Sequence, residues 1–251
     1  MKKQIKIFMR NWILAFMYPR PFIGLLYLPR YFVHWFRYKN AIPNKENSSL
    51  DMQPCLGDWT ISTPFDAHYF YQGAWLARRI AAKKPIKHVD IGSSVLTMSV
   101  LSAQVELTFV DYRPLKTNLS GLTSIAGDIL DLPFEDSSVP SLSCLHVIEH
   151  IGLGRYGDPI NPSGSIEAAK ELQRIVIQGG DLYLSLPVGR ERVCFNAHRV
   201  HMPTTVVKLF PQMTLVQFSF VNDAGEFFED GITDDANQFD YGCGLFHLKK
   251  M

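Results

Sequence analysis

The chain is poor in cysteine. Cys55, Cys144, Cys194 and Cys243 are its only four in 251 residues, they lie far apart, and none forms a Cys-x-x-Cys pair. That excludes a dense disulfide framework and favours reduced thiols in a reducing compartment. Acidic residues are absent before Glu46, whereas Lys2, Lys3, Lys6, Arg10, Arg20, Arg30, Arg37, Lys39 and Lys45 all precede it, so a formal net charge of +1 conceals a basic arm and an acidic remainder. Long apolar runs are also absent. Arg10, Arg20 and Arg30 cut the arm into stretches about half of the roughly 20 residues that a membrane-crossing helix needs, and Pro19, Pro21 and Pro29 are expected to interrupt any helix there. The apolar run at 12–18 meets Pro-Arg-Pro without a small-residue cleavage site, so no signal peptide is expected. No internal repeat is present.

What the arm has instead is aromatic side chains: Trp12, Phe16, Tyr18, Phe22, Tyr27, Tyr31, Phe32, Trp35 and Phe36 stand among its cations. Rings beside cationic groups suit a lipid headgroup interface, so residues 1–45 are expected to dock on a membrane surface or a partner, the plainer reading being an arm that packs on its own domain. Residues 46–85 read as a linker, with a short ordered piece near Trp59, followed by a helix at about 65–82 that Lys83-Lys84-Pro85 ends. Residues 86–251 read as the main domain.

In that domain strands are expected at 87–91, 105–111, 123–126, 141–146 and 181–187. A helix at 166–178 precedes the fifth, with Ser165 as cap, Ile166, Ala169, Leu172 and Val176 as its apolar stripe, and Gly179-Gly180 as its stop. A short helix near 206–210 and strand-like runs at 215–222 and 244–249 follow. Strands alternating with helices imply a two-sided, mostly parallel sheet that the last pair closes.

Three strand ends carry a carboxylate or a tight glycine: Asp90-Ile91-Gly92-Ser93-Ser94, Asp111, and Gly127-Asp128-Ile129. Ligands of doubly wound sheets bind at such ends. The later glycines of G-x-G-x-x-G are missing after Gly92, which disfavours a dinucleotide pyrophosphate and favours a nucleoside. Asp111 can then accept from both ribose hydroxyls and Asp128 from an exocyclic amine, with Ile129 over an adenine face. His150 has an imidazole able to accept a proton near neutrality, and Glu149 is a second candidate base. His198, Arg199 and Tyr156 lie on loops expected to overhang the pocket, one of them the glycine-rich segment 152–164, which reads as a substrate loop or lid. His146, His150, His198 and His201 invite a metal reading, but His146 is expected to end a strand and no acidic ligand accompanies His198 and His201 in a recognisable motif, so no metal is expected.

The phrases Asp128-Ile-Leu-Asp-Leu-Pro-Phe134 and Val147-Ile-Glu-His150 resemble class I S-adenosylmethionine-dependent methyltransferases. The segments Phe65-Asp-Ala-His-Tyr-Phe-Tyr-Gln72, His88-Val-Asp-Ile-Gly-Ser-Ser94 and Glu149-His-Ile-Gly-Leu-Gly-Arg-Tyr-Gly-Asp-Pro159 resemble a methyltransferase-like family of unknown function, DUF268. The resemblance implies a Rossmann-like α/β fold: a mostly parallel seven-stranded sheet with an antiparallel C-terminal strand and helices on both faces. It also implies S-adenosylmethionine as cofactor, with Asp90, Gly92 and Ser93 lining its methionine portion, Asp111 and Tyr112 its ribose, Asp128 and Ile129 its adenine, and His146 the floor beneath the sulfonium. Ser94 stands where that superfamily has its second glycine. The expected activity is O-methylation of a small-molecule, saccharide or lipid-linked acceptor, in the cytoplasm or peripherally at the inner face of a membrane. The alternative is a non-catalytic scaffold in a glycan-assembly pathway. Nucleic acid is not an expected partner, because the basic excess is confined to the arm and the remainder is net acidic, and the sequence leaves the oligomeric state open.

Overall fold

The computed structural model describes residues 26–41, 52, 55, 56 and 60–251, so most of the aromatic arm and Trp59 lie outside the described residues. The chain forms two compact units, residues 1–65 and 66–251.

In the first unit a single helix, α1 (Leu28–Ala41), is described, and none of its residues is buried. Pro29 does not interrupt it as expected. It stands in the first turn, where a missing N–H costs no helical hydrogen bond. Lys39 Nζ lies 5.0 Å from the centre of the Trp35 ring, a cation–π pair on one face.

The second unit opens with α2 (Ala67–Lys83). Asp66 caps it, accepting from the Tyr69 amide at 3.2 Å, and Lys84 ends it in a left-handed conformation just before Pro85. Then come β1 (Lys87–Ile91), α3 (Val95–Leu101), β2 (Glu106–Asp111), β3 (Leu122–Ala126), β4 (Val139–Leu145), a 3-10 turn at Ile148–His150, α4 (Gly164–Ile175) and β5 (Val176–Val188). A ribbon of β6 (Arg192–Cys194) and β7 (His198–Val200) precedes α5 (Pro203–Leu209), β8 (Met213–Val221), the two-residue β9 (Phe227–Phe228) and β10 (Gly242–Lys250).

The sheet order is β3-β2-β1-β4-β5-β10-β8-β9. Strands β1 to β5 pair in parallel and β10 runs antiparallel between β5 and β8, which is the expected arrangement with β9 added at one edge. The crossover direction reverses between β1 and β4, so the carboxyl ends of these two strands form the crevice in which open α/β sheets bind ligands.

Both faces are covered. One carries Leu76 and Ile80 of α2 and Met98 and Leu101 of α3 against Leu107, Tyr183 and Leu245; the other carries Ala169, Leu172 and Ile175 of α4 against Val110, Leu142 and Leu184. Each such aliphatic side chain contributes about 1.5–3 kcal/mol by leaving water. The helix α4 differs from its sequence reading. Ser165 is buried inside the first turn rather than capping it, and its hydroxyl donates to the Ile148 carbonyl at 2.6 Å. Ile166 is exposed, with Ala168 taking its place in the core. The helix stops at Ile175, and Gly179-Gly180 fall within β5, where Gly179 takes φ +74°.

Candidate functional site

The crevice is built from the end of β1. Gly92 has φ +64°, a conformation that favours glycine, and a Cβ there would press on Val147 Cγ1 at 3.3 Å, with Asp111 Oδ2 at 3.7 Å. Asp90 and Ser93, expected to touch cofactor, instead hold the turn from inside. The Asp90 carboxylate accepts from the Ser93 amide (3.0 Å), the Ser93 hydroxyl (2.7 Å) and the Ser143 hydroxyl. Ser93 Oγ in turn accepts from the Leu145 amide at 2.9 Å, tying the end of β1 to the end of β4. Burial outweighs these donors and raises the Asp90 pKa to about 6.

Behind Asp90 runs a polar chain that the sequence does not announce. His88 Nε2 lies 2.9 Å from Ser143 Oγ and Nδ1 lies 2.8 Å from Ser141 Oγ. Because the Ser143 hydroxyl donates to the carboxylate, His88 donates from Nε2 and accepts at Nδ1. The ring is neutral, burial having lowered its pKa to about 3.

Asp111 ends β2 beside Gly92. Its Oδ1 accepts from the Arg113 amide at 2.7 Å, while Oδ2 faces the Gly92 turn. Tyr112 is exposed at 71 %, open to a ligand on that edge. Asp128 Oδ1 accepts from the Leu130 amide at 2.9 Å, a local turn. Ile129 packs in the core, so it is not the open adenine platform expected of it.

Beyond the end of β4 lies a cavity of about 480 Å³ whose lining includes His68, Tyr69, His146, His150, His198 and Tyr241. His146 adopts φ +56°, a left-handed conformation unusual for a side chain of its size. Its Nδ1–H donates to Glu149 Oε1 at 2.8 Å and its Nε2 lies 3.3 Å from Cys243 Sγ. Burial disfavours charge on this ring, but Cys243 and Glu149 outweigh it and raise the pKa to about 10. Glu149 is fully buried, and His146 holds its pKa below the usual carboxylate value against the opposing effect of burial.

His150 is the group best suited to take a proton. Nδ1–H donates to the Ala197 carbonyl at 2.6 Å, so the lone pair is on Nε2, 3.7 Å from Glu149 Oε1. Burial lowers its pKa despite Glu149, so the ring is neutral at pH 7. Burial, reinforced by His150, also lowers His198 to about 4.

Arg199, expected as a substrate contact, is engaged within the protein. It is buried, and its guanidinium donates to the carbonyls of Ile151 (2.6 Å), Asn161 (3.3 Å), Pro162 (3.4 Å) and Glu149 (3.4 Å) and to Ser165 Oγ (3.1 Å). It fixes the loop after β4, which also winds round Asp158: Oδ2 accepts from the amides of Gly152 (2.7 Å) and Gly154 (3.3 Å). A Cβ at Gly152 would stand 2.0 Å from the Asn161 carbonyl oxygen, so glycine here allows the loop to pack closely on itself. Tyr156 projects from this loop with the guanidinium of Arg113 at 5.3 Å and that of Arg155 at 5.2 Å from its ring. His68, Tyr69, Cys243 and Tyr241 were given no role by sequence reading, although the first two lie in the phrase 65–72 that carries the DUF268 resemblance.

Residues 137–234 match the family described as "Caenorhabditis protein of unknown function, DUF268". No curated protein matches the chain in sequence. Among solved structures, the chain is similar to the N-methyltransferase NodS from Bradyrhizobium japonicum in complex with S-adenosyl-L-homocysteine, at 14 % identity over 72 % of this chain and 87 % of that one, with a TM-score of 0.50. It is similar to the YcgJ protein from Bacillus subtilis at 13 % identity over 72 % and 98 %, TM-score 0.50. It is also similar to the cyclase SpnF at 11 % identity over 70 % and 80 %, TM-score 0.51. The chain therefore has the class I methyltransferase fold, and residues 137–234 within it match the DUF268 family model.

Proposed function

We propose that the chain is an S-adenosylmethionine-dependent methyltransferase acting on a hydroxyl of a polar, saccharide-like acceptor. The observation that carries this reading is the position of His150: it lines a polar cavity beyond the end of β4, the strand whose carboxyl end, with that of β1, forms the crevice. The crevice fits the cofactor, because the space a Cβ would fill at Gly92 faces a carboxylate suited to ribose hydroxyls. S-adenosylmethionine would supply an electrophilic methyl carbon, whose bond to sulfur breaks as the acceptor oxygen attacks. The chain's own part is to orient the acceptor and to receive its hydroxyl proton on Nε2 of His150. Imidazoles, Tyr69, Tyr241 and Arg155 offer both ring faces and hydrogen-bonding groups, a lining suited to a polyhydroxylated acceptor. The test is methyl transfer from labelled S-adenosylmethionine to a panel of free and lipid-linked saccharides. Label appearing on an ether oxygen, lost with His150→Ala, supports the reading; cofactor binding without transfer to any acceptor points to the scaffold instead.

We infer as well that α1 docks on an anionic membrane surface. Phe32, Val33, Phe36 and Tyr38 are exposed on a helix that also bears Arg37 and Lys39, and no described helix is long and apolar enough to cross a membrane. Co-sedimentation with phosphatidylserine vesicles should be lost when residues 1–45 are removed; undiminished binding would refute it.

A further inference from the structure

We propose that His68, His146 and Cys243 form a zinc site with its fourth position open to the cavity. One ligand atom from each of the three lies within 4.8 Å of the others. The separation of His146 Nε2 from Cys243 Sγ is 3.3 Å. Zinc bonds of about 2.0–2.1 Å to nitrogen and 2.3 Å to sulfur, at a tetrahedral angle, require roughly 3.5 Å between those atoms. This edge of the tetrahedron is therefore nearly preformed, and His68, in the first turn of α2 and stacked on the His146 ring, must close in to complete it.

The outer shell points the same way. Glu149 Oε1 accepts from Nδ1 of His146 and leaves Nε2 directed at the sulfur, the carboxylate–histidine arrangement that orients imidazole ligands of metals. Glu149 Oε2 is buried and has no partner among the described residues, although Glu149 lines the cavity. A water or acceptor hydroxyl on the open zinc position would give it one.

The three ligands come from separate elements: α2, the residue following β4, and β10. One thiolate and two imidazoles suit zinc, and the absence of an oxygen ligand among them excludes magnesium and calcium. A nucleophilic cysteine would use the same Cys243–His146–Glu149 alignment, but Cys243 is fully buried and does not line the cavity, whereas both imidazoles do. The accessible position is thus on the imidazole side. On binding, whatever protons Sγ and Nε2 carry pass to solvent, leaving a thiolate and an imidazole lone pair for the metal. Three protein ligands and one open position are the pattern of catalytic zinc, which polarises a bound hydroxyl.

Metal binding is independent of the methyl-transfer reading and is measured without it. The full chain, stripped with a chelator and dialysed, is titrated with Zn2+ and separately with Co2+. One zinc per chain should bind, and cobalt should give tetrahedral visible bands with a near-ultraviolet thiolate charge-transfer band. Cys243→Ser should abolish that band, His68→Ala should weaken zinc at least about 10-fold, and Glu149→Gln about 10- to 100-fold. Circular dichroism melts confirm that the variants are folded. Absence of stoichiometric zinc in the wild-type chain, or a cobalt spectrum without the thiolate band, would overturn the proposal.

Discussion

Glu149 Oε1 accepts the Nδ1–H of His146 at 2.8 Å, and both side chains are almost completely removed from water. Removing one partner of a buried pair leaves the other uncompensated, at about 3–5 kcal/mol. Glu149→Gln should therefore lower the unfolding free energy of chelator-treated protein by about 3 kcal/mol, read by urea denaturation. A change below about 1 kcal/mol would mean that the pair is not held as described.

Arg199 closes the loop after β4 by donating to four carbonyls and a hydroxyl. The Arg199→Lys variant places one point donor where a planar fork is needed. It should lose about 2–3 kcal/mol of stability and expose residues 152–163 to proteolysis. A lysine variant as resistant as the wild-type chain would show that the guanidinium geometry is dispensable.

The two buried ionisable groups of β1 respond to acid in opposite directions. The folded-state pKa of His88 lies below its ordinary value, so its contribution is fully present above about pH 6.5 and is lost as pH falls. The folded-state pKa of Asp90 lies above its ordinary value, so its contribution is present below about pH 3.8 and is lost as pH rises through about 6. Between pH 7 and pH 5 the imidazole loses about 2 kcal/mol while the carboxyl recovers about 1 kcal/mol. Relative to wild type, His88→Gln should gain stability on acidification over this range, and Asp90→Asn should lose it. Parallel pH profiles for the two variants would contradict the assignment.

A proton acceptor whose pKa is lowered is already neutral at pH 7. Methyl transfer should therefore be independent of pH above neutrality, hold as pH falls through the ordinary imidazole value, and drop only in more acidic solution. His150→Gln should reduce kcat by about 10²- to 10⁴-fold. Stopped assays across that range decide it, an acid-independent rate being the contrary result.

The succession of strands and the polar strand ends were legible because each depends on neighbouring residues: apolar runs punctuated by Gly, Pro and Asp. Asp90, Gly92 and Asp111 accordingly lie at or beside the strand ends that were expected, and His146 and His150 follow the end of β4. What depends on distant segments was not legible. Arg199 reads as a loop cation with a substrate role, yet carbonyls from residues 149–162 bury it. Gly152 reads as mobility, yet the Asn161 carbonyl demands it. His68 and Cys243 stand near opposite ends of the sheet unit and meet only because β10 inserts between β5 and β8 while α2 packs beside it.

The central claim, a nucleoside cofactor in the Gly92–Asp111 crevice, is tested most directly by calorimetric titration of S-adenosylhomocysteine into the full chain. One ligand should bind per chain, and Asp111→Ala should weaken it at least about 10-fold through loss of hydrogen bonds to a charged carboxylate. No binding, or an unchanged Kd in Asp111→Ala, would contradict it.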